Sequence, residues 1–108
     1  MLESHESYKC RKFKVVYREQ EIGPEVGHGF IIIDLKEIGR PIGLIEDIWT
    51  HELHRKKGIG SQIVKELLEI AKKFNCYKVV LQCQDYNIKF YKQLGFEVNQ
   101  HAMRINYY

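Results

Sequence analysis

Apolar side chains change their period twice along this chain. Over 12–19, KFKVVYRE, apolar and polar residues alternate weakly, the two-residue period of a strand. The stretch EIGPEVGHG, 21–29, interrupts it with glycine and proline and predicts a turn into the next strand. GFIIIDL, 29–35, is a continuous apolar run, the pattern of a strand buried on both faces. KEIGRPI, with Gly39 and Pro41, predicts a loop, and GLIEDIWT, 43–50, a further strand, so 29–50 is expected to form a hairpin.

From 59 to 74 the period lengthens. Ile59, Ile63, Val64, Leu67, Leu68, Ile70, Ala71 and Phe74 recur at helical spacing, and Gln62, Lys65, Glu66, Glu69, Lys72 and Lys73 hold the opposite side. YKVVLQC, 77–83, predicts a strand, and YNIKFYKQL, 86–94, a short helix stopped by Gly95. The remainder, 95–108, predicts a final strand or pair of strands. A strand–helix–strand unit joined to an antiparallel hairpin is an α/β arrangement: a mixed, mostly antiparallel sheet with helices on both faces, in one domain over 1–108.

Composition narrows the function classes. The 108 residues are 44% hydrophobic and 29% charged, ordinary for a globular chain. The longest apolar run is far short of the roughly 20 residues that span a bilayer, and MLESHESYKC has no apolar leader core, so neither membrane insertion nor secretion is expected. Cys10, Cys76 and Cys83 are odd in number and lack metal-ligand spacing, which fits a reducing, cytoplasmic setting. His51 and His54 stand three apart without a third ligand, and His28 and His101 stand alone; no metal site is expected. A net charge of +3 is too mild for a nucleic-acid partner but suits a small anionic ligand.

The stretch HRKKGIGSQ, 54–62, indicates which anion. It lies between a strand end at Thr50 and a helix beginning near Gly60, where first-turn amides lack helical acceptors and the helix dipole is positive. Gly58 and Gly60 let the backbone approach a phosphate, and Arg55, Lys56 and Lys57 add charge, which together suit a pyrophosphate. The spacing is neither that of a Walker loop nor that of a dinucleotide fingerprint. A solvated basic turn with a glycine cap is the alternative.

RKKGIG in this context resembles the acetyl-CoA loop of the GNAT acetyltransferase superfamily, and NIKFYKQLGF, 87–96, resembles that superfamily's second signature. IEDI at 45–48, CYK at 76–78 and NIKFY at 87–91 are similar to segments of the glucosamine-6-phosphate N-acetyltransferases; the likeness covers roughly 14–106. The resemblance implies a GNAT fold, shortened at its N-terminal side, that moves the acetyl group of acetyl-CoA to a primary amine, glucosamine 6-phosphate first among the acceptors. Another small amine, a polyamine, a protein amine, or a CoA-binding module without turnover are the alternatives.

It also implies roles. The backbone of Lys57, Gly58, Ile59, Gly60 and Ser61 would cradle the phosphates, with Arg55 and Lys56 beside them. Ile48, Trp49 and Thr50, on a strand that splays from its neighbour, would flank the pantetheine, with Asn87 reaching it from the helix. Tyr91 would protonate the departing sulfur, a task that suits a phenol. Glu46 and Asp47 would hold or deprotonate the amine. Adjacent strand residues point to opposite faces, so both can serve one substrate only across a bulge; otherwise one carboxylate is solvated and the other paired with a lysine. A homodimer is implied as well, consistent with the aromatic Tyr107 and Tyr108. Two departures stand out: Gln82 replaces an acidic residue, and Asn106 falls where an arginine would reach the sugar phosphate, with Arg104 the nearby substitute.

Overall fold

In the computed structural model, which describes residues 1–4, 9–36, 38–99 and 101–108, four strands form one sheet in the order β1-β2-β3-β4. The strands are β1 (Cys10–Tyr17), β2 (Gly27–Asp34), β3 (Ile42–Thr50) and β4 (Lys78–Val80). The first three pair antiparallel and β4 joins β3 in parallel, so the sheet is mixed and mostly antiparallel, as expected. Helix α1 spans Ile59–Lys73 and helix α2 spans Ile88–Gln93, each preceded by a 3₁₀ turn, Glu52–His54 and Asp85–Asn87. Glu37 of the expected loop and Gln100 of the expected last strands lie outside the described residues.

Helix α1 forms where the apolar period predicts it, because Ile59, Ile63, Val64, Leu67 and Ala71 make one stripe that is buried. The stripe lies against Ile31, Ile33 and Ile45, and these residues with Val26 form the core. Full burial of an Ile, Leu or Val side chain contributes about 1.5–3 kcal/mol, so Ile31, Ile33, Ile63, Val64 and Leu67, all at 0–1% exposure, anchor the fold. The helix ends at Asn75, whose φ of 58° reverses the chain, while Cys76 N–H donates to the Ala71 carbonyl at 3.1 Å. Lys72 and Lys73 in the last turn suit the negative end of the helix dipole.

Strand β2 corrects one expectation. It is fully buried at Gly27, Gly29, Ile31 and Ile33 and only half-buried at His28, Phe30, Ile32 and Asp34. Antiparallel pairing on both edges leaves a sheet face for each parity of residue, and α1 covers the odd one. Helix α2 packs Phe90 and Tyr91 against the same core cluster, so among the described residues the even face carries no helix. That face presents Lys12, Lys14, His28, Phe30, Ile32, Leu44, Glu46 and Trp49.

Two further differences concern the C-terminal half. Strand β4 is three residues long rather than the expected seven, since its pairing with β3 stops at Leu44↔Val80 and Leu81–Gln84 leave the sheet. The segment expected to make one or two last strands has no strand among the described residues, and Val98, Met103, Ile105, Tyr107 and Tyr108 are exposed. The helix stop at Gly95 is as expected: its φ is 99°, and Phe96 N–H donates to the Tyr91 carbonyl.

Candidate active site

The divergence of β3 from the chain after β4 opens a cleft of about 410 Å³. On one side lie Ile45, Glu46, Asp47 and Ile48; on the other, Leu81, Gln82, Cys83 and Gln84 with Asn87 and Tyr91. Beyond Leu44 the outer edge of β3 has no strand partner among the described residues, so the N–H and C=O groups it turns outward face this cleft, an arrangement open to an extended guest.

A bulge sits at the centre of that edge. His28 pairs with Trp49 and Phe30 with Glu46, so the single residue Gly29 faces the two residues Asp47 and Ile48. Asp47 takes a φ of +55°, the left-handed conformation that costs most residues roughly 1–2 kcal/mol but that Asp tolerates best after glycine and Asn. Gly29 is required opposite it, because a Cβ there would lie 2.5 Å from Ile48 Cδ1 and 2.9 Å from Ile63 Cγ2. The bulge is the condition under which Glu46 and Asp47 can serve one substrate, and both line the cleft. Asp47 and Ile48 also border a second, more open hollow of about 620 Å³ on the even face, with Glu25, His28, Phe30 and Trp49. The two hollows therefore meet at the bulge.

The carboxylates differ in their surroundings. Glu46 is paired with Lys12 Nζ at 3.0 Å, whereas Asp47 is exposed. Glu25 accepts hydrogen bonds from Lys14 Nζ at 2.9 Å and His28 Nδ1 at 3.1 Å, which hold its carboxyl below the usual range, the lysine foremost. His28 is thus a hydrogen-bonded histidine.

Tyr91 lies on α2, packed edge-to-face on Phe90 and Phe96 with ring centroids 4.9 and 5.7 Å apart. Its burial raises the phenol above its ordinary value of about 10, and the nearby Cys83 thiol acts in the same direction, so the hydroxyl keeps its proton at neutral pH. Asn87, in the 3₁₀ turn that leads into α2, lines the cleft beside it.

At the far end of β3 the basic loop adopts the backbone its sequence suggests. Lys56 and Gly58 have φ of 66° and 78°, and the first helical bond runs from Gln62 N–H to the Gly58 carbonyl. The amides of Ile59, Gly60 and Ser61 therefore point out of the helix without helical acceptors. A Cβ on Gly60 would face Phe90 Cζ at 3.6 Å and Thr50 Oγ1 at 3.8 Å, so this glycine sits where loop, β3 and α2 converge. The cations are less free than the sequence suggests. Arg55 Nε donates to the Thr50 carbonyl at 3.3 Å, and Lys57 Nζ lies 3.3 Å from Glu19 Oε1, which also lies 2.7 Å from His54 Nδ1. The Lys57 hydrogen bond, ahead of the His54 contact, holds the Glu19 carboxyl below its usual range.

Of the residues singled out in the sequence, the structure gathers Glu46, Asp47, Ile48, Asn87 and Tyr91 around one cleft, with Gln82 on its wall. Trp49 borders the adjacent hollow, Thr50 ends β3, and 55–61 form the loop beyond it and the first turn of α1. Arg104 is exposed in the C-terminal segment and lines neither hollow. Sequence reasoning missed Cys83 and Gln84, which reach the cleft only because the chain leaves the sheet after Val80. It also missed Glu19, whose partner lies 38 residues away. His51 accepts from Leu53 N–H, and no group of three His, Cys, Asp or Glu gathers among the described residues.

Residues 5–96 match the model of the acetyltransferase (GNAT) family. A glucosamine 6-phosphate N-acetyltransferase of Trypanosoma brucei brucei is 33% identical over 93 residues, covering 84% of this chain and 63% of the relative. One of Schizosaccharomyces pombe is 34% identical over 83 residues, 75% of either chain. The crystal structure of glucosamine-6-phosphate N-acetyltransferase from Arabidopsis thaliana superposes with a TM-score of 0.83 at 28% identity, covering 89% of this chain and 67% of that one. The chain spans 63% and 55% of the length of the Trypanosoma and Dictyostelium discoideum relatives.

Proposed function

From a chain that belongs to the GNAT acetyltransferase family, we propose an enzyme that transfers the acetyl group of acetyl-CoA to a primary amine, with glucosamine 6-phosphate as acceptor. The observation that carries this reading is the single continuous path from the loop amides at 59–61, along the unpaired edge of β3, to the bulge where Tyr91, Glu46 and Asp47 border one cleft.

Acetyl-CoA supplies an activated carbonyl on a thiol leaving group. The chain supplies the rest. Amides of Ile59, Gly60 and Ser61 hold phosphate oxygens, and the open β3 edge bonds the amide groups of an extended arm. The backbone N–H of Ile48 faces developing negative charge on a carbonyl oxygen. Tyr91 keeps a proton to give to sulfur, and Glu46 and Asp47 attract the ammonium and accept its proton. Transfer is direct from thioester to amine. The exposed apolar side chains of Met103, Ile105 and Tyr107 support a homodimer, and three free cysteines suit a reducing cytoplasm. Gln82 cannot accept a proton, and Arg104 is the nearest arginine to the position expected to bind sugar phosphate, so acetylation of glucosamine 6-phosphate is expected to be inefficient.

Thiol release from acetyl-CoA across a panel of amines tests the reading. Glucosamine 6-phosphate should turn over faster than glucosamine; rapid turnover of another amine with neither sugar accepted would overturn the acceptor, and no turnover of any amine would overturn the activity.

A further inference from the structure

The even face of the sheet holds an ammonium ion in a seat built for one. Lys12 lies on β1, yet its side chain crosses the central strand to reach β3: Nζ stands 4.7 Å from the centroid of the Phe30 ring and 3.0 Å from Glu46 Oε1. A carboxylate at one side and an aromatic face at the other is the pairing by which proteins recognise alkylammonium groups. The carboxylate in question belongs to the cleft that Tyr91 also lines, and Phe30 borders the hollow that meets this cleft at Asp47 and Ile48. Its neighbour Lys14 provides the contrast. That Nζ lies 5.7 Å from the same ring but is bound to Glu25 at 2.9 Å, away from the Tyr91 cleft.

We propose that the Lys12 ammonium occupies the seat of the acceptor amine, and that Lys12 is itself acetylated, within one chain, by the thioester bound in the cleft. The inference rests on the acetyl-transfer reading above. Lys12 gives one proton to Glu46, and its nitrogen forms the C–N bond to the acetyl carbon as the C–S bond breaks. The second nitrogen proton passes to solvent, and the departing sulfur takes the Tyr91 proton, which solvent replaces. One ammonium and one thioester become one amide, one thiol and one released proton. The product has no charge, so Glu46 loses its resident partner and is free for an external amine. Lys12 is therefore both a competitor of the acceptor and a modification site. At half exposure its flexible stem can swing toward the bulge, a movement that a Lys–Glu pair in water opposes only weakly.

The test incubates the full chain with acetyl-CoA and no acceptor, at several protein concentrations, and follows intact mass and peptide maps. One acetyl group should appear on Lys12, at a rate independent of protein concentration and at least tenfold faster than on Lys14. Lys12→Arg should abolish it, Tyr91→Phe should slow it at least tenfold, and Lys14→Arg should leave it unchanged. Independently, Lys12→Met should lower the KM of an added amine several-fold while CoA affinity in calorimetry stays the same. Labelling of Lys12 no faster than Lys14, or a rate proportional to protein concentration, overturns the proposal. If CoA binds and an added amine is acetylated while Lys12 is not, this inference alone falls; if CoA does not bind, the reading of the cleft falls with it.

Discussion

Gly29→Ala is the substitution that probes the bulge without touching any group assigned to chemistry. The new methyl would stand 2.5 Å from Ile48 Cδ1, 2.9 Å from Ile63 Cγ2 and 3.2 Å from Leu67 Cδ1. Overpacking of a full core costs about 1–3 kcal/mol. Restricting the unfolded chain by replacing glycine returns about 0.4–1 kcal/mol. The variant should therefore lose about 1–2 kcal/mol, a fall in Tm of roughly 4–8 °C per kcal/mol in a domain of this size. Ile48 should also be pushed outward, which moves its backbone N–H in the cleft and lowers turnover. The atom in closest conflict is the terminal methyl that Ile48→Val removes. That single change costs about 0.5–1.5 kcal/mol by itself, but in the double variant it relieves the overlap, so the two should couple favourably by about 1 kcal/mol. Denaturant unfolding of the four species measures the cycle. A Gly29→Ala protein as stable as the parent, or strictly additive losses, would refute the claim that Ile48 packs across Gly29 to shape the bulge.

Three other perturbations address the site. Gly60→Val should abolish acetyl-CoA binding in calorimetry while the protein remains folded, because the Cβ has ordinary contacts at 3.6 and 3.8 Å but the branched chain fills the junction of loop, β3 and α2. Tyr91→Phe should lower turnover by roughly 10²- to 10⁴-fold with CoA affinity retained. Since burial raises the Tyr91 phenol, any alkaline loss of activity due to its ionisation should have its midpoint above the ordinary phenol value of about 10 in the parent and be missing from the pH profile of the residual activity in Tyr91→Phe. Asp47→Gly should raise stability by up to about 1 kcal/mol in denaturant melts by relieving the positive φ, yet lower turnover by removing a carboxylate; a stability loss would show that the Asp47 side chain supports the bulge.

The long elements were legible because each buries a stripe with one period: α1 from its 3.6-residue spacing, and β1 to β3 from apolar runs bounded by turn residues. The backbone of the basic loop was legible for a different reason, since a glycine between a strand and a helix suggests the left-handed turn that Gly58 makes. The bulge was not. A single Asp at positive φ leaves no mark on hydropathy, and IEDI reads as a regular strand until Gly29 is seen opposite two residues. The early end of β4 was equally hidden: VVLQC keeps strand propensity, but the pairing with β3 stops at Leu44↔Val80, and Leu81–Gln84 become the cleft wall instead. The C-terminal residues were expected to form a strand, yet none forms among the described residues even though the outer edge of β4 is open. Long-range ion pairs such as Glu19 with Lys57 and Lys12 with Glu46 depend on register between distant strands and loops, which no local pattern encodes.

The central claim is that acetyl-CoA lies along the open β3 edge, with its phosphates at the start of α1 and its thioester at the bulge. Amide chemical-shift mapping during titration with CoA tests this most directly. The largest changes should fall on Ile48, Trp49 and the amides from Lys57 to Ser61, with Asn87 and Tyr91 following, and Lys12 to Val16 on β1 should hardly move. Saturable shifts confined to the even face around Phe30 and Ile32, or none at 57–61, would contradict it.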